Sequence, residues 1–394
     1  MNHKDMEQSP ILISLIPNLM GGEGHIIPYH ISVTKAAKIL NWQHIAIVAP
    51  DSEISDLPTN WYPELSGENL EASINPLIRI LKFQDILRLS FSIANELRKY
   101  VLIPSKFSIV FLERFIHVQL FALLIAIYLI PTNNLSVWLL YRRDTHKDKT
   151  GWIYKILNKA IKNKLKPGKF KILTDSEILG KSISNYFQES VTVMPIPHTE
   201  FIDIKEIHQN NEVICWWAGT PRLEKGWDVV KSLVTCITED ANKICVVAAQ
   251  SSQLISTIGG VKVKLIPDNL SNSDYLNWLE KSDIILLPYD VNAYKERTSG
   301  IFTESIMAGK LPVVTAGTWM AKELSKYGIE ELIIEDWSQP HIIVSKIIKF
   351  ANSLELKAKI QEIQKNYQDF HTVESYARQM KKLFDASDHA ENSN

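Results

Sequence analysis

The run DIILLP at residues 283–288, followed by YDVNAYKERTSGIFTESIMAGK at residues 289–310, constrains the fold more than any other stretch. An uninterrupted apolar segment of strand length suits a parallel strand covered on both faces. Apolar residues at 301, 302, 306 and 307 then recur at helical spacing, and Gly309 closes the pattern as a C-terminal glycine does. Strand, short polar loop and helix in that order are the repeating unit of a doubly wound α/β domain.

A helix that begins after Thr298, Ser299 and Gly300 offers free backbone N–H groups and the positive end of its dipole. The small side chains let an anion approach closely, so the segment predicts a phosphate seat. Glu304 lies one turn in, and a helical side chain leans toward the N-terminus, so its carboxylate reaches past the phosphates toward a hydroxyl pair. Glu296 sits in the loop before. Two acids that flank an anion site suit a ligand with hydroxyls at both ends of a diphosphate, and a nucleotide sugar is such a ligand.

The E-x7-E spacing of Glu296 and Glu304, the strand before it, the small residues within it and the GKLPVV that follows at 309–314 resemble the bacterial retaining GT-B glycosyltransferases of family 4. TDSE at 174–177 and PIPH at 195–198 extend the resemblance over most of the chain. It implies an α/β GT-B fold, two Rossmann-like doubly wound domains facing a central cleft. It also implies that Glu296 touches the donor sugar, that Glu304 touches the ribose, and that the amides of Ser299, Gly300 and Ile301 hold the diphosphate. "Retaining" comes from the resemblance alone; no residue stands out as a covalent nucleophile, which agrees with the same-face displacement usual for the family.

With 394 residues the chain is long enough for two domains, each with its own core. Residues 11–16 predict a first strand and 28–40 a first helix, joined by a loop containing Gly21, Gly22, Gly24 and His25. Ile27 stands where a G-x-G-x-x-G motif needs its third glycine, so a dinucleotide site is not expected. The loop is either a tight turn or, as in GT-B enzymes, a cleft loop that helps hold acceptor or donor. Further strands are predicted at 44–49, 107–112, 137–141, 170–173 and 191–194, with helices at 85–100, 118–130 and 150–165 and a polar linker at 199–211. His117 opens one of those helices. The resemblance maps it to a histidine lying against the donor sugar; the alternative is a helix-start histidine with no substrate contact.

Two basic features mark this half. The turn at 142–147 ends a strand and could meet an anionic group. The helix at 150–165 places Trp152, Ile153, Ile156, Leu157, Ala160, Ile161 and Leu165 on one face, with lysines elsewhere. It is either the solvated side of a core-packed helix or an attractor of anionic lipid or a phosphorylated acceptor, each basic residue near such a surface contributing about 1 kcal/mol.

The second half restarts the alternation, with strands at 213–218, 244–249, 263–266, 284–287 and 312–315 and helices from 227 and at 273–281. Ligands of such sheets bind beyond the strands' carboxyl ends. There the turn GTPRLEKG at 219–226 supplies Arg222 and Lys225, which can neutralise a diphosphate leaving group. The resembled family commonly shows G-R-x4-K-G; Lys225-Gly226 fits, but Thr220 stands at the arginine position and Arg222 is displaced by two residues, a substitute rather than a match. A solvent-facing turn is the alternative. The expected division is residues 1–198 for acceptor binding, 199–366 for donor binding, and a final helix at about 367–394 returning to the first domain.

A net charge of −1 gives no global reason to expect nucleic acid as a partner. Cys215, Cys236 and Cys245 have no metal-ligand spacing and read as buried reduced thiols. Without D-x-D or H-E-x-x-H, a metal-bridged diphosphate is not expected, and no cofactor is expected beside the nucleotide sugar itself. The polar N-terminus excludes a secretory signal, and the apolar run at 118–130 is too short for a membrane span. A cytoplasmic protein is expected, peripheral at most to the inner face of the membrane through its basic N-terminal domain. The predicted activity is metal-independent transfer of a hexose-like sugar to a glycan or lipid-linked acceptor, in polysaccharide, glycolipid or glycoconjugate synthesis. A GT-B-fold nucleotide-sugar epimerase and a non-catalytic nucleotide-sugar-binding protein are the alternatives.

Overall fold

A computed structural model of the chain describes residues 9–19, 26–50, 57–67, 70, 76–103, 106–198 and 212–391, leaving aside the side chains of 76–82 and 388–391. The chain divides into two compact units, Met1–His198 with Val373–Asn394, and Thr199–Thr372.

The first unit is built on β1 (Ile11–Ile16), β2 (Gln43–Val48), β3 (Trp61–Tyr62), β4 (Ser108–Glu113), β5 (Leu135–Tyr141), β6 (Phe170–Thr174) and β7 (Val191–Val193). They form one seven-stranded sheet in the order β3-β2-β1-β4-β5-β6-β7, and the ladders are parallel. Every residue of β1, β4 and β5 is buried, which is why those strands read as mainly apolar runs with no alternation of polar and apolar residues. The intervening helices are α1 (Ile26–Ile39), α2 (Pro76–Val101), α3 (His117–Tyr128), α4 (Gly151–Lys164) and α5 (Glu177–Phe187). Ser176 caps α5 by accepting from the Leu179 amide at 3.1 Å.

Two apolar clusters cover the two faces of this sheet. One gathers α2, α3 and α4 around Ile13, Val110 and Leu139; the other gathers α1 around Ile109, Phe111 and Trp138. Burying each such side chain contributes about 1.5–3 kcal/mol, so the helices are fixed by the sheet they cover. No helix among the described residues is long and apolar enough to cross a membrane.

At the carboxyl ends of β4, β5 and β6 lies a buried set of charges. Arg142 Nη1 reaches Glu113 Oε1 at 2.7 Å and its Nε reaches Asp175 Oδ2 at 2.8 Å, while His30 Nε2 stands 3.2 Å from Glu113 Oε2. Arg142 is therefore committed to two carboxylates, not presented to an outside anion as the basic turn suggested. Removing one member of such a set strands a buried charge, at about 3–5 kcal/mol.

The second unit is a six-stranded parallel sheet in the order β10-β9-β8-β11-β12-β13. Its strands are β8 (Val213–Trp216), β9 (Ile244–Ala249), β10 (Lys262–Ile266), β11 (Ile284–Leu287), β12 (Leu311–Thr315) and β13 (Ile333–Ile334). Its helices are α6 (Trp227–Val234), α7 (Asn272–Lys281), α8 (Val291–Tyr294), α9 (Gly300–Met307), α10 (Trp319–Ser325), α11 (Pro340–Ala351) and α12 (Leu354–Phe370). The strand order reverses between β8 and β11, and a crevice beyond the carboxyl ends at such a reversal is where ligands of open α/β sheets bind.

Tyr367, near which the return to the first domain was expected, lies in α12, and its hydroxyl donates to Glu323 of the second unit at 3.2 Å. The helix that joins the first unit is α13 (Val373–Glu391), which packs on α1 and pairs the Tyr376 and Tyr29 hydroxyls at 2.8 Å. Of the cysteines, Cys215 and Cys245 are buried free thiols, whereas Cys236 is half-buried.

Candidate functional site

The loops that follow β8 and β11 meet in the second unit. After β8 the chain turns at Gly219, whose φ of +89° is open to glycine at little cost, and then forms a short 3-10 turn over Leu223–Lys225. The buried Trp217 indole donates to the Lys225 carbonyl at 3.0 Å, and the Asp290 amide donates to the Glu224 carbonyl at 2.9 Å. Gly226 closes the turn at φ +78°, so near Pro288 that a β-carbon would lie 2.1 Å from the Pro288 carbonyl oxygen. The turn after β8 is thereby locked onto the end of β11.

After β11, Asp290 caps α8 by accepting from the Ala293 amide at 2.9 Å, and residues 295–299 lead to α9. The Ser299 hydroxyl accepts from the Phe302 amide at 3.3 Å, and its carbonyl accepts from the Thr303 amide at 3.1 Å. The amides of Gly300 and Ile301 are thus left at the open end of the helix with no intrahelical acceptor. Lys225 Nζ and Ile301 Cδ1 both approach the open side of Gly219, at 2.8 and 3.5 Å from where its β-carbon would stand. A half-buried ammonium group and the start of a helix are therefore side by side.

Glu304, one turn into α9, accepts a hydrogen bond from the Tyr275 hydroxyl of α7. Burial pushes the Glu304 carboxyl up from its ordinary value, opposed by that hydrogen bond and by the Lys225 charge. For Lys225, burial acts first and Arg222 and Arg297 second, bringing the ammonium down to about 8 against the pull of Glu224 and Glu304. Its Nζ lies 6.0 Å from the centre of the buried Tyr289 ring. Arg222 Nη1 and Arg297 Nη1 approach Glu224 Oε1 at 3.7 and 3.9 Å, while Lys225 feels the charges of both Glu224 and Glu304. The Lys225 ammonium and the start of the helix together favour an anion.

Of the residues singled out in the sequence, Arg222, Lys225, Ser299, Gly300, Ile301 and Glu304 lie on these two loops and α9, and Glu296 is half-buried in the segment entering α9. His117 belongs to the other unit: it is the first residue of α3, half-buried, its ring edge-on to Tyr154 at 6.0 Å. The Asn18 side-chain amide donates to the Arg114 carbonyl at 3.0 Å, joining the segments after β1 and β4. Gly21, Gly22, Gly24 and His25 lie outside the described residues. Arg297 and Tyr275 were missed. Arg297 was legible beside Glu296 in KERTSG; Tyr275 carries no signal in the sequence, because only the fold brings it to Glu304. Among the described residues no group of three or more His, Cys, Asp or Glu side chains is arranged to hold a metal ion.

The architecture is that of the GT-B fold, two α/β Rossmann-like units with parallel sheets. It is similar to the N-terminal domain of Candida albicans trehalose-6-phosphate phosphatase, with 12% identity over 96% of this chain and 97% of that one and a TM-score of 0.64. An alpha-glucosyltransferase in complex with UDP and a DNA containing an HMU base matches with 11% identity over 96% and 99%, TM-score 0.56. A putative UDP-N-acetylglucosamine 2-epimerase from Listeria monocytogenes matches with 10% identity over 95% and 96%, TM-score 0.56. No protein-family model matches the chain, and no curated protein matches it in sequence.

Proposed function

We propose that this chain is a retaining glycosyltransferase that moves a hexose-like sugar from a nucleoside diphosphate to an acceptor hydroxyl. The observation that carries the reading is the convergence of Lys225 and the first turn of α9 at Gly219, with the Glu304 carboxyl behind them. The Gly300 and Ile301 amides and the Lys225 ammonium take the diphosphate; Glu304 accepts from the ribose hydroxyls and Glu296 from those of the sugar. The bond between anomeric carbon and phosphate oxygen breaks, and the acceptor oxygen bonds to that carbon on the same face. Its proton passes to the departing phosphate oxygen, and the growing charge there is met by Arg222, Lys225 and the helix end.

Metal independence belongs to the same proposal and is supported by the absence of D-x-D and by three cations where a divalent ion would otherwise be needed. The first unit is assigned the acceptor, a glycan or lipid-linked alcohol of surface polysaccharide, glycolipid or glycoconjugate synthesis, with Gly21, Gly22, Gly24 and His25 in its loop. His117 is assigned to the donor sugar.

The experiment is turnover of a panel of nucleotide sugars, with products read by mass spectrometry. Glu304→Gln and Glu296→Gln should each lower transfer by about a hundredfold with an unchanged melting temperature. Full turnover in both variants would contradict the site. An altered sugar nucleotide formed with no acceptor present would point instead to an epimerase, a chemistry named for one protein of similar fold.

A further inference from the structure

Helix α4 buries only part of the apolar face its sequence suggests. Its buried side chains are Tyr154, Leu157, Asn158 and Ile161, and Tyr141 donates to Asn158 Oδ1 at 3.0 Å. Trp152 and Ile156, expected on the core face, are 59% and 56% exposed. At about 100° per residue, Trp152, Ile156 and Lys159 fall within a wedge of roughly 60°, with Lys155 about 40° beyond it. All four are solvent-exposed.

Residues 142–171 hold eleven Lys and Arg against only Asp144 and Asp148, in a chain whose net charge is −1. Part of that charge is internal. Arg142 is held by Glu113 and Asp175, Lys169 is buried over the Phe107 ring at 4.3 Å, and Lys162 bonds Glu189 at 2.7 Å. Lys159 has no acidic partner among the described residues, and Lys155 stands 5.3 Å over the Tyr186 ring, so both keep their charge for the surface.

We infer that this face of α4 is a docking surface for an anionic lipid bilayer. A tryptophan has an apolar body and a polar N–H, the combination that suits the depth where headgroups meet acyl chains. One turn away, Ile156 supplies a branched alkyl group that a bilayer can bury. Lys155 and Lys159 beside them match the negative surface potential of anionic lipid. The opposite face of the helix is anchored in the core, so it can lie in the bilayer plane without unfolding. The inference stands independently of the transferase proposal.

The test is co-sedimentation of the full chain with phosphatidylcholine vesicles and with vesicles in which roughly one lipid in three is phosphatidylglycerol. Retention on the anionic vesicles should exceed that on the neutral ones by at least about tenfold and fall with added salt. Lys155→Gln with Lys159→Gln should lower it by about 25-fold, near fivefold per lysine. Trp152→Ser with Ile156→Ser should lower it by at least about tenfold at unchanged salt dependence. All four residues are exposed, so the melting temperature should hold. Equal retention on both vesicles, or full retention by either double variant, would overturn the inference. So would binding to heparin alone without binding to vesicles.

Discussion

The Lys225 ammonium lies against the open side of Gly219, 2.8 Å from where a β-carbon on that glycine would stand. Gly219→Ala therefore pushes Lys225 aside, and a flexible side chain can yield. The positive φ costs about 1–2 kcal/mol of stability, visible as a lower urea midpoint. The larger effect falls on function: nucleoside diphosphate should bind about tenfold or more weakly by calorimetry, because a charge-assisted contact is misplaced.

Gly226 differs, because its β-carbon would meet backbone. It would stand 2.1 Å from the Pro288 carbonyl oxygen and 2.7 Å from the proline ring, at φ +78°. Gly226→Ala has no side chain to displace, so the loss should reach about 3 kcal/mol or more, lowering the melting temperature by about 6–12 °C. Calorimetric scanning separates the two glycines: a large shift for 226 and a small one for 219.

Lys225 also sets a pH dependence. Its ammonium in the free protein loses its proton near pH 8, against about 10.4 for an unburied lysine. Diphosphate favours the charged form, so kcat/KM should fall through an alkaline limb near pH 8, while the limb in kcat lies higher. Stability moves the other way: the unfolded chain holds this proton more tightly between about pH 8 and 10, so this group's contribution rises with pH in that window. Lys225→Arg should remove the limb from kcat/KM.

Tyr275→Phe removes the hydrogen bond that holds the Glu304 carboxyl down against its burial. The acid limb of kcat/KM should shift to higher pH, and stability at neutral pH should drop by about 1–2 kcal/mol. The sign follows from the raised carboxyl: its contribution to stability is complete at low pH and is lost as pH rises through the folded value, further along in the variant. A pH–rate profile with a limb unmoved in the Phe variant would separate Glu304 from the reaction.

The parallel strands were legible because burial on both faces leaves runs such as ILISLI and DIILLP with no alternation to misread. Two-residue strands such as Trp61–Tyr62 and the four-residue α8 were not, being shorter than any period that could announce them. In α4 periodicity found an amphipathic helix and part of its buried stripe: Leu157, Ile161 and Leu165 are buried as expected, whereas Trp152 and Ile156 are exposed and Tyr154 takes a place in the core. The helix start on which the proposed phosphate seat rests was legible in Ser299 and Gly300 because a helix start is a local feature. Its chemistry was only half legible, since the lowered lysine and raised carboxyl depend on burial and on Tyr275, distant in sequence.

Calorimetric titration of a panel of nucleoside mono- and diphosphates against the wild-type chain and Lys225→Ala tests the central claim most directly. One base in the panel should bind as the diphosphate at least about tenfold more tightly than as the monophosphate, and that preference should vanish in the variant. Equal affinity for mono- and diphosphate, or a preference that survives without Lys225, would contradict the account.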